Sequence, residues 1–187
     1  MRIISGRWRG TALVPVGAGD EAARLRPTTD RVRESLFNLL AHGGHAPIDG
    51  ARVLDLFAGT GALGLEALSR GAASATFVEQ GRPALKLLGA NLARVKAGDA
   101  AHVLPRDATR LGVNPGAPAT MVFLDPPYGR GLGEQAIASA LAGGWIAPGA
   151  TIAWEEGVHP AALPGLTLRD HRQYGDSMVF LYELTAP

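Results

Sequence analysis

Four consecutive residues, Asp125-Pro126-Pro127-Tyr128, follow an apolar run, Met121-Val122-Phe123-Leu124, that reads as a buried strand. A carboxylate, two residues without an N–H donor and an aromatic ring are thus delivered together at a strand's C-terminal end, the edge where open α/β sheets hold ligands. This set suits a planar group bearing an NH2. Asp125 and the Pro126 carbonyl can accept its two hydrogens, the prolines offer no competing donor, and Tyr128 can stack on the ring. The plain alternative is a proline-rich turn capped by Asp125.

A second candidate lies upstream. Asp55-Leu56-Phe57-Ala58-Gly59-Thr60-Gly61-Ala62-Leu63-Gly64 turns a strand into a helix, and its glycines let a ligand lie against the main chain. Gly59, Gly61 and Gly64 satisfy the G-x-G-x-x-G dinucleotide fingerprint, and Glu79, ending the next strand, can hold a ribose hydroxyl pair in either of two readings. The glycines alone do not choose between a nicotinamide dinucleotide and S-adenosyl-L-methionine. Asp55 tilts the choice, because its charge opposes a pyrophosphate and suits an ammonium and a sulfonium. The Asp125–Tyr128 segment, which hydride transfer does not need, tilts it the same way. Asp107, ending a third strand, is placed to touch an adenine edge. Each acid also has a structural reading: Asp55 as a helix-capping residue, Glu79 as a solvated strand end, Asp107 as the N-cap of Ala108–Leu111.

The elements that position these residues alternate. Strands are expected at Arg52–Phe57, Ala75–Val78, Ala101–Leu104, Thr120–Leu124 and Ala150–Glu155, with helices at Gly61–Arg70, Arg82–Lys96 and Gly131–Leu141. The tail, Thr167–Gln173 and Ser177–Leu184, reads as a β-hairpin through Tyr174-Gly175-Asp176. Upstream, Arg2–Val16 reads as a short hairpin bending at Gly6 or Gly10. A helix capped at Thr29-Asp30 then runs to Gly43-Gly44, burying Val32, Leu36, Phe37, Leu39 and Leu40 and turning Arg31, Arg33 and Glu34 outward. The fold expected is α/β: a mostly parallel sheet covered on both faces. We divide it into residues 1–20, a basic hairpin extension, and residues 21–187, the catalytic domain.

Composition narrows the partners. Of 187 residues, 47% are hydrophobic and 19% charged, and no apolar run reaches a membrane span. No signal segment is evident, and cysteine is absent, so a cytoplasmic setting is expected, without disulfides or thiolate metal sites. Net charge is only +1, yet residues 1–33 hold seven arginines against three acids, which points to a polyanion contact at this end. His42 and His45 at the Gly-Gly bend, and Glu155, Glu156 and His159 at a strand exit, are expected to be ordinary surface groups, so no metal is called. A monomer is the default.

Asp55–Gly61 together with Asp125–Tyr128 resembles the class I amino-methyltransferases. Three further stretches, Arg2–Gly10, Arg26–Asn38 with its Arg-Pro-Thr-Thr-Asp-Arg run, and Gly64–Ala72, make the chain similar to the RsmD family over nearly its whole length. That resemblance implies a Rossmann-like, seven-stranded sheet with a C-terminal antiparallel hairpin. It also implies methylation of N2 of a guanine in 16S ribosomal RNA, naked or in an assembling small subunit. It further implies that Arg26, Thr28, Asp55, Phe57, Ala58, Gly59, Thr60, Gly61, Glu79, Gln80, Asp107, Ala108 and Asp125 surround S-adenosyl-L-methionine. Asp125, Pro126, Pro127 and Tyr128 would hold the base, and Arg2, Arg7, Trp8, Arg9, Arg31 and Arg130 would touch RNA. The competing readings are an adenine-N6 methyltransferase acting on DNA or RNA, a nicotinamide oxidoreductase, and a non-catalytic RNA-binding module.

Overall fold

The computed structural model describes residues 1–14, 30–43, 46–175 and 177–185. Among them run α1 (Asp30–His42), β1 (Arg52–Leu56), α2 (Ala62–Ser69), β2 (Ser74–Glu79), α3 (Arg82–Val95), β3 (Ala101–Pro105), β4 (Ala119–Leu124), α4 (Leu132–Ala142), β5 (Ile146–Glu156), β6 (Leu166–Tyr174) and β7 (Ser177–Leu184). The strands form one sheet in the order β3-β2-β1-β4-β5-β7-β6. β1 to β5 are parallel, while β7 runs antiparallel to both β5 and β6. This is the Rossmann-like fold expected, with its antiparallel C-terminal hairpin. Among the described residues no helix is long and apolar enough to cross a membrane.

Alternation along each strand divides the core between two faces. Val53, Phe77, Met121, Phe123, Ala153 and Val179 point to one face, where Leu36 and Phe37 of α1, Leu65 and Leu68 of α2, and Leu88 of α3 cover them. Leu54, Leu56, Val78, Val122, Leu124 and Trp154 point to the other, against Ala136, Ile137 and Ala140 of α4. Because both faces are covered, β4 reads as a continuous apolar run from Met121 to Leu124, and β1 is interrupted only by Asp55 between Leu54 and Leu56. The strand order reverses between them. β1 neighbours β4, with Leu56 opposite Leu124, which opens a crevice at their C-terminal ends, the place such sheets hold ligands.

The N-terminal residues are not a loose arm. Arg2 bridges Ala12 in antiparallel fashion, and Ile3 and Leu13 are buried in the core beside α2 and α3. They cover the outer side of α2, which is why every residue from Leu63 to Ser69 is buried, including Glu66 and Ser69. Glu66 accepts hydrogen bonds from the Ile4 and Ser5 N–H groups at 2.7 and 3.0 Å, and Arg70, one helical turn on, donates to it at 2.7 Å. Ser69 accepts from Trp8 N–H and donates to the Ser5 carbonyl.

The same packing overturns one expectation. Arg33, read as facing out, is fully buried, with its guanidinium on Asp30 and the Arg2 carbonyl. Its spacing from Leu36, Phe37 and Leu40 puts it on the buried stripe of α1, and only its charge argued for the outer face. Covering by a segment some 30 residues upstream is invisible to that spacing. β5 also begins four residues earlier than expected, at Ile146, because the Pro148-Gly149 pair makes an irregularity in the pairing with β4 rather than ending the strand.

Gly6 carries the closest approach in this region. Its φ is +83°, and a Cβ there would lie 1.8 Å from the Ser69 carbonyl oxygen. Gly10 has the same φ with open space around it. Gly6→Ala should therefore cost about 2–3 kcal/mol and Gly10→Ala about 1 kcal/mol. Urea midpoints of the two variants measure the difference; equal losses would show that backbone conformation alone, and not the contact with α2, matters.

Candidate active site

β1, β2, β3 and β4 deliver their C-terminal residues to one edge of the sheet. From β1 come Phe57 to Gly61, from β2 Glu79 and Gln80, from the loop after β3 Asp107 and Ala108, and from β4 Asp125 to Tyr128. Phe57 (φ +60°), Gly59 (+56°) and Gly61 (+80°) take left-handed conformations, so the chain reverses within a few residues. Gly61 has no room for a side chain, since a Cβ would meet Leu88 Cδ1 at 2.5 Å. Ala58, Gly59, Thr60 and Gly61 are buried; Phe57 is half-buried.

Each acid around the turn grips backbone. Asp55 is 2% exposed and accepts from Gly64 N–H at 2.9 Å. Burial, reinforced by the Glu79 charge and offset in part by that hydrogen bond, pushes its carboxyl from an ordinary 3.8 up to about 7. Glu79 uses both oxygens: one accepts from Gly59 N–H at 2.9 Å, the other from Gln80 and Gly81 N–H at 2.9 and 2.6 Å. It ties the end of β2 to the glycine turn. Asp107 caps the short turn Ala108–Arg110, accepting from both the Thr109 N–H and its hydroxyl. The three acids gather at the sheet edge beside the glycine turn, and each has a structural task there.

In the Asp125–Tyr128 segment Asp125 is half-buried, Pro126 buried and Pro127 exposed. The Tyr128 hydroxyl donates to Glu155 Oε1 at 2.9 Å and lies 3.0 Å from Ser177 Oγ. Burial, with the Glu155 and Asp125 charges adding to it, moves the phenol well above its ordinary range, so it remains a donor at neutral pH. The ring packs over Gly157, where a Cβ would approach to 3.2 Å.

Glu155 and Glu156 therefore correct the expectation of ordinary surface groups. Successive residues of β5 point to opposite faces. Glu155 takes Tyr128, while Glu156, only 5% exposed, accepts from Gly157 N–H and from Gly129 N–H in the loop after Tyr128. Two adjacent glutamates thus hold the segment after β4 from both sides. An acid pair at a strand exit was visible in the sequence; its partner loop was not.

The basic candidates are spread more widely. Arg2, Arg7 and Arg9 are exposed, and the Arg7 guanidinium lies 4.1 Å over the Trp8 ring. The bend carrying Arg7 to Arg9 sits on Ser69, at the far end of α2 from the glycine turn, roughly 12 Å away at 1.5 Å per residue. Arg31 is exposed in the first turn of α1, and Arg130 is exposed after the Tyr128 segment. Arg26 and Thr28 lie outside the described residues.

Comparison with known proteins agrees with this arrangement. The family described as Conserved hypothetical protein 95 matches residues 1–183. The Ribosomal RNA small subunit methyltransferase D of Escherichia coli K12 is 44% identical over 190 aligned residues, covering 100% of this chain and 91% of that protein. This chain belongs to the RsmD family of methyltransferases. The Haemophilus influenzae protein of the same name is 39% identical over 81% of this chain and 76% of its own. Among solved structures, Escherichia coli yhhF, described as a methyltransferase, superposes with a TM-score of 0.83 at 43% identity, covering 100% of this chain and 99% of that one.

Sequence reasoning passed over Asn91, Glu66 and Ser177 in this RsmD-family chain. Asn91 and Glu66 are polar residues on helix faces otherwise counted as core, and a polar residue at a core register was the only available signal.

Two outcomes follow from the site. The folded chain holds a proton on Asp55 that the unfolded chain releases above pH 3.8, so Asp55 makes stability fall as pH rises from about 4 to about 7, then level off. The loss is of order a few kcal/mol, at about 1.4 kcal/mol per pH unit. Asp55→Asn should flatten that slope in denaturant midpoints at pH 5 and pH 8; parallel curves would place the titration elsewhere. Tyr128→Phe keeps the ring but removes the hydroxyl that contacts Glu155 and Ser177. It should cost about 1 kcal/mol of stability and several-fold in turnover; unchanged values would make the hydroxyl dispensable.

Proposed function

We propose that this chain transfers the methyl group of S-adenosyl-L-methionine to the exocyclic N2 of a guanine in small-subunit, 16S ribosomal RNA. One observation carries the reading. The glycine turn and Asp125-Pro126-Pro127-Tyr128 leave neighbouring parallel strands from the same row, Leu56 opposite Leu124, so a cofactor on the first faces an amine held by the second. The names of the Escherichia coli and Haemophilus influenzae relatives support the class of RNA.

The residues present fit that cofactor. Left-handed glycines in the turn let a ligand approach the main chain, and the Glu79 carboxylate bound to Gly59 N–H favours a cation over a pyrophosphate. Phe57 to Gly61, Glu79, Gln80, Asp107 and Ala108 would surround it. When bound, the sulfonium supplies an electrophilic methyl group.

Asp125 and the Pro126 carbonyl act on the nucleophile. The amine lone pair of guanine is delocalised into the ring, and two acceptors on its hydrogens draw the nitrogen toward tetrahedral geometry, returning that pair to nitrogen. The same acceptors stabilise the positive charge that grows there, a preorganised electrostatic effect. Tyr128, its ring fixed by Glu155 and Ser177, provides the stacking wall. A paired guanine hides its amino edge, so the target base is unpaired or swung out of its helix.

Asp125→Ala should lower kcat by roughly 10²–10³ while calorimetric affinity for S-adenosylhomocysteine is kept. Labelled methyl groups on small-subunit RNA from cells lacking the protein should map to guanine N2. Label on adenine, or full activity in Asp125→Ala, would reject the assignment.

A further inference from the structure

Asparagine is a poor helix former and a polar group that is costly to bury without partners, yet Asn91 sits inside α3 with no exposed surface. Both ends of its amide are occupied. Oδ1 accepts from Val14 N–H at 2.7 Å, and Nδ2 donates to the Thr60 carbonyl at 2.9 Å. One turn earlier on the same face, Leu88 closes the space beneath Gly61. α3 therefore addresses two consecutive residues of the glycine turn.

The Thr60 carbonyl needs such a partner for a reason found in α2. The first helical hydrogen bond of α2 runs from Leu65 N–H to the Gly61 carbonyl. One residue earlier, an extended helix would pair Gly64 N–H with the Thr60 carbonyl. Here Asp55 takes that N–H and Asn91 takes that carbonyl. The turn is thus held open by one residue through two side chains, one on β1 and one on α3. Asp55 is fixed within the sheet. Asn91 depends at its other end on a segment 77 residues away in the chain, whose remaining ties to α3 include Arg94 Nη1 to the Ala12 carbonyl at 2.8 Å.

We propose that Asn91 is a positioning residue that couples the seating of residues 1–14 to the shape of the glycine turn. With Val14 docked, the amide is oriented to present Nδ2 to Thr60. With the segment lifted, that orientation is lost and the carbonyl loses its fixed donor. Cofactor affinity then depends on the N-terminal segment, and by linkage a bound cofactor holds that segment down. This rests on the reading that the cofactor lies on the glycine turn.

Val14→Pro in the full chain removes the N–H that Asn91 accepts and changes no residue of α3 or of the turn. Calorimetry with S-adenosylhomocysteine should show about five- to twentyfold weaker binding for Val14→Pro and for Asn91→Leu, with no further loss in the double variant. Turnover should show a raised KM for S-adenosyl-L-methionine with kcat at saturation retained. On the unaltered chain, S-adenosylhomocysteine should slow amide hydrogen exchange across residues 1–14, a readout that stands even if a variant fails to fold. Unchanged affinity in Val14→Pro, losses that multiply in the double variant, or no slowing of exchange would each overturn the coupling. If the unaltered chain does not bind S-adenosylhomocysteine at all, the proposed function falls with it.

Discussion

The adjacency of β1 and β4 is the constraint on which the rest of this structure depends. Parallel strands with crossover helices place the strand order reversal somewhere, and here it falls between these two. Only there do the loops leaving neighbouring strands turn to opposite faces, which leaves a crevice instead of a closed seam. The glycine turn leaves one strand and the Asp125–Tyr128 segment leaves the other, from paired residues. Chemistry that needs two groups brought face to face is thereby supplied with both walls before any ligand arrives.

Around that crevice, buried and half-buried polar groups hold loops. Asp55, Glu79, Asn91, Glu155 and Glu156 each bind backbone or a hydroxyl of a segment that ends at the sheet edge. Loops of this kind are ordinarily the least stable parts of an α/β domain. Tying them to strands and helices with satisfied hydrogen bonds gives a preorganised site, which matters for a reaction driven by orientation and fixed dipoles. The cost is visible at Asp55, whose burial keeps its carboxyl near neutrality.

The N-terminal residues join this scheme from outside. They cover α2 and are bound by Glu66, Ser69 and Asn91, so an exposed basic surface carrying Arg2, Arg7 and Arg9 is continuous with the packing beneath the glycine turn. A surface suited to a polyanion and a crevice suited to a cationic cofactor thus share one set of buried contacts.

Local pattern in the sequence determined most elements and the chemistry-bearing motifs. The five parallel strands, the three crossover helices α2 to α4 and the C-terminal hairpin follow from apolar runs, helical spacing and glycine punctuation, and the residues at strand ends follow from those. The RsmD resemblance rests on contiguous stretches for the same reason. What side chains do once long-range contacts form was decided by tertiary structure. Arg33 is buried because residues 1–14 cover it, Glu155 and Glu156 hold the segment after β4 because β5 lies beside it, and Asn91 bridges Val14 to Thr60. A periodicity records which face of an element is buried against something. It carries no record of which distant segment provides the cover, because that partner is fixed only when the strands take their order.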